Sequence, residues 1–388
     1  MRRFAFPRSS PASASAKASP ATRVKALSTF HLVAYTDATA YAGAEICLGN
    51  LLQGLDEEIA VTVLATDPEV GRFVADFRPG ADVQFVPPVR NKFDLAPILA
   101  HFRALRKLRP DILHVNLRIP YACQYGILAG VFTRGVRVVA VEHCPLDTQS
   151  AFSRWIKRHS SARLAAHVSV GKQGARMIEN EAHLPPNSLR VIYNGVPELE
   201  SEPLPRLASG PVIGSIGRFD RLKGYDVLVK AMPALPGVTV VLIGGGPMRE
   251  ELEELARKLE VSDRLTLIDW SDEPRRYLPG FDLFVLPSRF EAFGLVLVEA
   301  MLAKLPVVAS DVGGIPECVT GEETGLLVPV DDVAALASAI QRLLADPALC
   351  AKLGEAGLTR ARKLFSRKRM VEEFEALYRD LIRGVAVD

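Results

Sequence analysis

Short apolar runs alternate with amphipathic segments along the chain from about residue 31 onward. Each run suits one buried strand, and segments such as Ala96–Leu108 carry apolar residues at helical spacing. Strands separated by helices of about ten or more residues pair in parallel, because a crossover connection needs that length. The pattern therefore predicts an α/β fold with parallel sheets. The predicted strands of the first half are His31–Thr36, Ile59–Ala65, Val83–Val86, Ile112–Val115, Val136–Val141 and Ala166–Val170.

The alternation stops between Asn194 and Pro211, where prolines, glycines, serines and acidic residues are concentrated. This composition is typical of a linker. The alternation then resumes, and a length of 388 residues suits two domains better than one. We expect two Rossmann-like domains that face each other across a cleft, over residues 28–200 and 208–366. The predicted strands of the second domain are Val212–Ile216, Thr239–Ile243, Leu265–Ile268, Leu283–Leu286, Pro306–Ala309 and Leu326–Val328.

The final segment, residues 367–388, places its apolar residues on one stripe of a helix. Such a helix buries its stripe against a neighbour, and the first domain is a candidate for that neighbour. The stripe consists of Met370, Phe374, Leu377, Tyr378 and Leu381.

Charge is distributed unevenly. Residues 1–30 hold six basic residues and no acidic one, so the rest of the chain carries a net charge of −4 within an overall +2. A mildly acidic body argues against nucleic acid as a partner, because phosphate binding needs clustered cations. Residues 1–27 are rich in Ser, Ala, Pro and Arg and predict a disordered basic tail, with a transit peptide as the alternative.

Cysteine usage and hydropathy bear on the compartment. The five cysteines are scattered without metal-ligand spacing, which predicts neither zinc nor a disulfide framework and favours a reducing, cytoplasmic setting. The sequence contains no run of 18 apolar residues. The basic segment Phe152–Arg163, with Trp155 inside it, fits an ordinary packed helix or a peripheral contact with the inner face of the membrane.

The segment VIGSIGRFDRLKG, residues 212–224, places Arg218 and Lys223 just after a predicted strand. Ligands of doubly wound folds sit at the carboxyl ends of strands. A planar guanidinium and a compact ammonium together suit a diphosphate, although both are also common solvated surface groups.

A second cluster follows the strand that ends near Pro287. Glu291 precedes a helix that begins near Gly294, and Glu299 lies inside that helix. The free amides of a helix start bind anions, and carboxylates bind ribose or sugar hydroxyls. Glu291 also fits as a favourable charge at a helix start, and Glu299 as a solvated residue. However, Glu299 has apolar neighbours on both sides, so it needs a compensating partner.

Three candidates lie in the first half. Gly43, in YAGAE, opens the first helix and allows a ligand to approach the backbone. His143, in VVAVEHCP, and His114, in DILHVN, are expected at the carboxyl ends of neighbouring strands. A lone histidine is more often structural, and His143 is the stronger functional candidate because it ends the longer apolar strand.

Taken in order, these motifs resemble those of glycosyltransferase family 4, a retaining family with the GT-B architecture. GRFDRLKG is similar to the glycine-arginine turn with a following lysine-glycine, and EAFGLVLVE is similar to the paired glutamates with seven residues between them. SDVGGIPE, TGLLVP and VIYNGV match further family segments. The resemblance covers nearly the whole chain from about residue 30.

The resemblance implies roles for the second domain. Arg218 and Lys223, in the turn that begins at Gly217, would bind the donor diphosphate and stabilise the leaving nucleotide. Glu291 would hold hydroxyls of the donor sugar. Glu299 would hold the nucleotide ribose.

It also implies how the cleft is completed. The amides of Gly294 and Leu295 would meet the distal phosphate. From the first domain, His143 would face the reacting sugar, and Gly43 would lie near the acceptor and the donor phosphate.

Two positions depart from the family pattern. Asp269 and Lys304 stand where glycine is common. Asp269 and its neighbour Trp270 lie where the base is expected, so Trp270 is a candidate for nucleotide binding and the identity of the base stays open.

These features predict a retaining glycosyltransferase that moves a hexose-type sugar from a UDP- or GDP-sugar to a glycan, lipid-linked or small-molecule acceptor. The sequence contains no Asp-x-Asp pair, and two cations with a helix start can supply positive charge, so we expect neither a metal nor another cofactor. A GT-B nucleotide-sugar epimerase and a non-catalytic nucleotide-binding relative are the alternatives.

Overall fold

Two parallel sheets form the body of the protein, which confirms the predicted α/β fold. The predicted basic tail, residues 1–27, lies outside the described residues. The computed structural model describes residues 29–40, 42–91, 93–145, 151–199, 202–271 and 273–385, without the side chains of residues 151–153.

The first sheet has seven strands, all paired in parallel. They are β1 (His31–Thr36), β2 (Ala60–Ala65), β3 (Asp82–Phe85), β4 (Ile112–Leu117), β5 (Arg137–Glu142), β6 (Ala166–Ser169) and β7 (Arg190–Val191). Their spatial order is β3-β2-β1-β4-β5-β6-β7, and the central strands are almost wholly buried because helices cover both faces. The two-residue β7 was not predicted, since so short a strand carries no pattern. The helices are α1 (Gly43–Gly54), α2 (Pro68–Asp76), α3 (Leu95–Leu108), α4 (Gln124–Val131), α5 (Ala151–Ser161) and α6 (Lys172–Glu181).

The second sheet has six parallel strands. They are β8 (Val212–Ile216), β9 (Thr239–Ile243), β10 (Leu265–Ile268), β11 (Leu283–Leu286), β12 (Val307–Ser310) and β13 (Leu326–Val328). The spatial order, β10-β9-β8-β11-β12-β13, reverses direction between β8 and β11, which is where a doubly wound fold binds ligands. The helices are α7 (Tyr225–Ala231), α8 (Arg249–Lys258), α9 (Leu295–Leu302), α10 (Ile315–Cys318), α11 (Val333–Ala345) and α12 (Pro347–Leu364).

The chain passes between the domains twice, and the two passages are bonded to each other. The Val196 amide donates to the Phe365 carbonyl at 2.8 Å, and the Arg367 amide donates to the Val196 carbonyl at 3.0 Å. Val196 and Ser366 form a parallel bridge. The passages therefore make one narrow hinge.

The last helix, α13 (Arg367–Arg383), returns to the first domain and packs against α1. Its stripe is buried as the sequence pattern implies, and Phe374 and Tyr378 surround the ring of His114. Tyr378 also makes an edge contact with Phe30 at 6.2 Å between ring centroids. The C-terminal helix thus completes the core of the first domain.

The expectation that His114 lies at a strand end is wrong. It is the third residue of β4, and its Nδ1 lies 2.7 Å from the Tyr378 hydroxyl. Burial lowers the pKa of His114 to about 3, and His143 adds to the effect, so the ring stays neutral. The pattern could not show that a helix some 260 residues later would cover this position.

No single helix in the described parts of the chain is long and apolar enough to cross a membrane, whereas α11 and α12, bent by 103°, meet the criteria of length and composition together.

We predict that Tyr378→Phe lowers the free energy of unfolding by about 1–2 kcal/mol, because the buried His114 loses its hydroxyl partner. Urea unfolding measures the change. The control is Tyr277→Phe, since Tyr277 is a partly buried tyrosine of the second domain. Equal stabilities for the two variants would contradict the assigned role of Tyr378.

Candidate active site

The loop after β8 carries the two predicted phosphate-binding cations. Asp220 organises this loop: its Oδ1 accepts from the amides of Leu222 and Lys223 at 3.0 and 3.1 Å, and its Oδ2 pairs with Arg218 Nε at 2.5 Å. The Arg218 side chain is 68% exposed, so its guanidinium remains accessible to a ligand. The loop starts at Gly217, whose amide donates to the Ile243 carbonyl at 2.9 Å and so binds the exits of β8 and β9 together.

Lys223 and Glu291 form an ion pair between the loops that follow β8 and β11. Lys223 Nζ lies 2.5 Å from Glu291 Oε2, and both side chains are about four-fifths withdrawn from solvent. The loops approach closely at Gly224, where φ is +66° and an added β-carbon would overlap the Pro287 carbonyl. Two residues that the sequence linked only through resemblance are thus in direct contact.

The segment SDVGGIPE packs against the backbone of Glu291. The Gly314 amide donates to the Glu291 carbonyl at 2.8 Å. At Gly313, φ is +57°, and any β-carbon would overlap that same carbonyl. The glycines of this segment thus form a turn that packs against the backbone of Glu291.

Glu299 lies one helical turn into α9, which Gly294 precedes as the capping residue and Leu295 begins. The Glu299 side chain is only 18% exposed, and Arg275 Nε lies 3.9 Å from its Oε1. Burial raises the pKa of Glu299 to about 7, and the Arg275 charge offsets part of the effect. The solvated alternative for Glu299 is therefore wrong, and its one ion pair, with Arg275, is longer than a hydrogen bond.

Arg275 also reaches the hinge, since its Nη2 donates to the Pro197 carbonyl at 2.6 Å. One guanidinium thus lies between Glu299 and the first passage of chain between the domains.

The first domain meets α9 at the start of α1. A β-carbon on Gly43 would lie 3.3 Å from Leu295 Cδ1, so the starts of the two helices face each other across the cleft. This contact brings Gly43 to the helix start that carries Gly294, and a place for Gly43 near the acceptor and the donor phosphate stays a prediction.

His143 directly follows β5, and its Nε2 lies 2.7 Å from the Oδ1 of Asn116, near the end of β4. Burial lowers the pKa of His143 to about 4, although the neighbouring Glu142 opposes the shift. Asn116 also approaches Glu45 in the first turn of α1, with 3.5 Å between its Nδ2 and Glu45 Oε1. Three polar side chains therefore connect β4, β5 and α1 at the cleft.

A further carboxylate crosses between the domains. Glu317, in α10, accepts from the amides of Lys172 and Gln173 at 2.7 Å each. These are the first amides of α6, which has no side-chain cap from its own chain neighbours. Glu317 therefore caps a helix of the opposite domain, where a negative charge is favourable.

Trp270 lies at the edge of the second sheet, away from the loops after β8 and β11 that carry Lys223 and Glu291. It follows β10, the edge strand of the second sheet, two strands away from β8, and is 56% exposed. Its neighbour Asp269 pairs with Arg249 at 2.9 Å. The base-binding role of Trp270 stays a prediction.

Sequence reasoning missed Asn116, Arg275 and Glu317. Glu317 lies inside a quoted motif, but only the fold brings it to α6. Asn116 could have been noticed in the sequence, because it is a polar residue in a mostly apolar run at a strand end. Arg275 has no signal, since its partners lie on the linker and on α9. Among the described residues, no group of three or more His, Cys, Asp or Glu side chains is arranged to hold a metal ion.

The model of Glycosyltransferase Family 4 matches residues 41–198, and that of Glycosyl transferases group 1 matches residues 198–360. The lipopolysaccharide core biosynthesis glycosyltransferase LpsE of Rhizobium meliloti is 35% identical over 167 residues, which is 43% of this chain and 49% of that protein. N-acetyl-alpha-D-glucosaminyl L-malate synthase of Bacillus anthracis is 25% identical over 75% of this chain and 80% of its own length. The chain spans about half the length of the first relatives it matches.

Solved structures agree with the fold. Anabaena HepE, crystallised with UDP, superposes with a TM-score of 0.80 and 20% identity over 90% of this chain and 99% of that one. Sucrose-phosphate synthase of Thermosynechococcus elongatus gives 0.72 and 24% identity over 92% and 100%. Two facing Rossmann-like domains with the site at their cleft define the GT-B architecture. The chain belongs to glycosyltransferase family 4, as the two family models together establish.

We predict that Glu299→Gln stabilises the protein at about pH 8 and much less at about pH 5. The Glu299 pKa of about 7 lies above its value of 4.5 in the unfolded chain. The contribution of Glu299 to the free energy of unfolding is therefore fully present below pH 4.5. It falls by up to about 3 kcal/mol as the pH rises through 7. Glutamine does not ionise, so it avoids this loss. Thermal unfolding at both pH values measures the gain in stability of the variant over the unaltered protein.

The control is Glu372→Gln, because Glu372 is an exposed carboxylate on α13. A gain for Glu299→Gln that is equal at the two pH values would contradict the buried, raised pKa.

Proposed function

We propose that this protein is a retaining, metal-independent glycosyltransferase. It moves a hexose-type sugar from a UDP- or GDP-sugar to a glycan, lipid-linked or small-molecule acceptor in polysaccharide or glycoconjugate biosynthesis. The observation that carries this proposal is the Lys223–Glu291 ion pair, which lies beside Arg218 at the ligand-binding edge of the second sheet.

Negative charge grows on the diphosphate as the sugar leaves, and stabilising it is the main electrostatic task. Arg218 offers an accessible guanidinium fork and Lys223 a point charge. The amides of Gly294 and Leu295, at the start of α9, add the partial positive charge of a helix N-terminus. These groups supply the positive field that a divalent cation provides in other enzymes, which supports the absence of a metal.

Glu291 and Glu299 would hold the two ends of the donor. Glu291 is fixed by Lys223 and by the backbone beneath it, so its free lone pairs can accept from hydroxyls of the sugar without reorganisation. Glu299 lacks a close cation, and ribose hydroxyls would give its buried carboxylate the hydrogen bonds it needs.

The first domain offers no free carboxylate for a double displacement among the residues that carry the cleft contacts described above. Glu45 is fully buried and accepts from the Ala42 amide at 3.1 Å. Glu142 is buried against Lys157 and His167. Retention would then proceed by attack on the face from which the diphosphate leaves, with a phosphate oxygen taking the acceptor proton. His143 would face the sugar as a neutral group, and Gly43 would leave room for the phosphate.

The relatives support the donor and the pathway. HepE was crystallised with UDP and with UDP-glucose, and LpsE is named for lipopolysaccharide core biosynthesis. We place the reaction in the cytoplasm, with α5 able to contact the inner face of the membrane. The basic α5 carries Trp155, which is 56% exposed, and Arg158.

Calorimetry with UDP, GDP, ADP and their sugars tests the donor. We expect a clear preference for either the uridine or the guanosine series, because one base must fit beside Asp269. Binding of none of the nucleotides would overturn the proposal. Incubation with the preferred donor alone, followed by product analysis, separates a transferase from an epimerase, because an epimerase needs no acceptor.

We predict that Lys223→Ala and Arg218→Ala each lower the transfer rate by about 10²–10³, because each removes positive charge from the leaving diphosphate. Steady-state kinetics with the preferred donor measures the loss. The matched control is Arg221→Ala, which removes an exposed cation of the same loop that pairs with Glu251. Equal activity of the control and the two variants would exclude diphosphate stabilisation by this loop.

A further inference from the structure

Asn116 is a buried side chain with three polar neighbours at the cleft edge of the first domain. It is 1% exposed, and its Oδ1 lies 2.7 Å from His143 Nε2. Its Nδ2 lies 3.3 Å from the Ala44 carbonyl oxygen and 3.5 Å from Glu45 Oε1. Asn116 therefore has one partner, His143, directly after the neighbouring strand β5, and two partners on α1.

The Ala44 carbonyl fixes the orientation of the amide. A carbonyl oxygen only accepts, so the Nδ2 group of Asn116 must point towards Ala44, and Oδ1 must point towards His143. Rotating the amide by half a turn would place two acceptors against each other in a buried site, which costs about 1–3 kcal/mol. Because Oδ1 also only accepts, the proton of the neutral His143 ring resides on Nε2.

The surroundings keep that ring neutral. The charged or titratable groups near it are Glu142, which precedes it in the chain, His114 on β4 and Glu45 beyond Asn116. Glu142 raises the pKa of His143, but its carboxylate is paired with Lys157 and His167. Burial is the larger influence and lowers the pKa of His143 to about 4. At neutral pH the ring has one donor nitrogen, and Asn116 occupies it.

We propose that Asn116 is a positioning residue that holds His143 in the neutral Nε2–H tautomer, which leaves Nδ1 as the nitrogen that meets the reacting sugar. This inference rests on the proposed function for its catalytic meaning. His143 then accepts a hydrogen bond from a sugar hydroxyl and cannot donate one. A donor whose corresponding hydroxyl is replaced by fluorine lacks the proton that this contact needs.

Long-range ¹H–¹⁵N NMR of histidine-labelled protein tests the tautomer directly. The chain has seven histidines, and His143→Gln assigns the signal of interest. In the unaltered protein near pH 7, we expect His143 to show a protonated Nε2 and a bare Nδ1. In Asn116→Leu, which keeps the size and removes the acceptor, we expect a mixture of tautomers. The rings of His114 and His101 serve as internal controls, because their partners Tyr378 and Tyr35 are unchanged.

Asn116→Asp is the matched variant that keeps an acceptor at the same atom. We expect it to retain the Nε2–H tautomer and to shift the titration of His143 to higher pH, because a carboxylate favours the imidazolium. An unaltered His143 signal in Asn116→Leu, with His114 and His101 also unchanged, would overturn the inference. Loss of all three signals would indicate misfolding, and Asn116→Ser then provides the test with a smaller change, with the same expected mixture and the same overturning result.

Kinetics separates this inference from the proposed function. We expect Asn116→Leu to lower kcat for transfer about tenfold, with a smaller change in the KM for the donor, because the ring acts on the reacting sugar. A mixed tautomer together with unchanged kcat would retain the hydrogen-bond assignment and overturn the role of His143 in transfer. The NMR result needs no substrate, so it stands whether or not the donor has been identified.

Discussion

The second-domain side of the cleft depends on backbone segments that approach each other more closely than a β-carbon allows. Gly224 touches the Pro287 carbonyl and Gly313 touches the Glu291 carbonyl, each at a positive φ. These contacts bring the exits of β8, β11 and β12 together, and the Lys223–Glu291 ion pair can then form between two of them. The loops that carry the cations and the carboxylate of the site are therefore fixed by backbone contacts at the ends of the strands.

The two domains are joined by polar and apolar contacts. The hinge passages are bonded at Val196, Arg275 links the first passage to the surroundings of Glu299, and Glu317 caps α6 from across the cleft. These contacts are directional, and the ring contact between Tyr193 and Phe293 adds apolar packing between the domains. Opening and closing of the cleft would break or remake them, which is the kind of motion that excludes water from a transfer reaction.

The site also costs stability. Glu299 is a buried carboxylate whose ion pair with Arg275 is long, and Glu45 is buried at the start of α1, where burial raises its pKa although the Ala42 amide opposes the shift. Such groups persist in a fold only when other contacts compensate them. The compensation here comes from apolar packing, including α13, which covers His114 and completes the core of the first domain.

Much of this protein follows from the sequence alone. The alternation of apolar runs and helices determined the α/β class and every strand of both sheets except β7, because burial on both faces leaves a continuous apolar run. The ordered motifs brought forward Arg218, Lys223, Glu291 and Glu299, since each follows a strand or lies within the first turns of a helix. Only the tertiary structure decided which groups meet: His114 turns to Tyr378, Glu317 reaches α6, and Asn116 orients His143. Those contacts join residues far apart in the chain, and local periodicity carries no information about such distances.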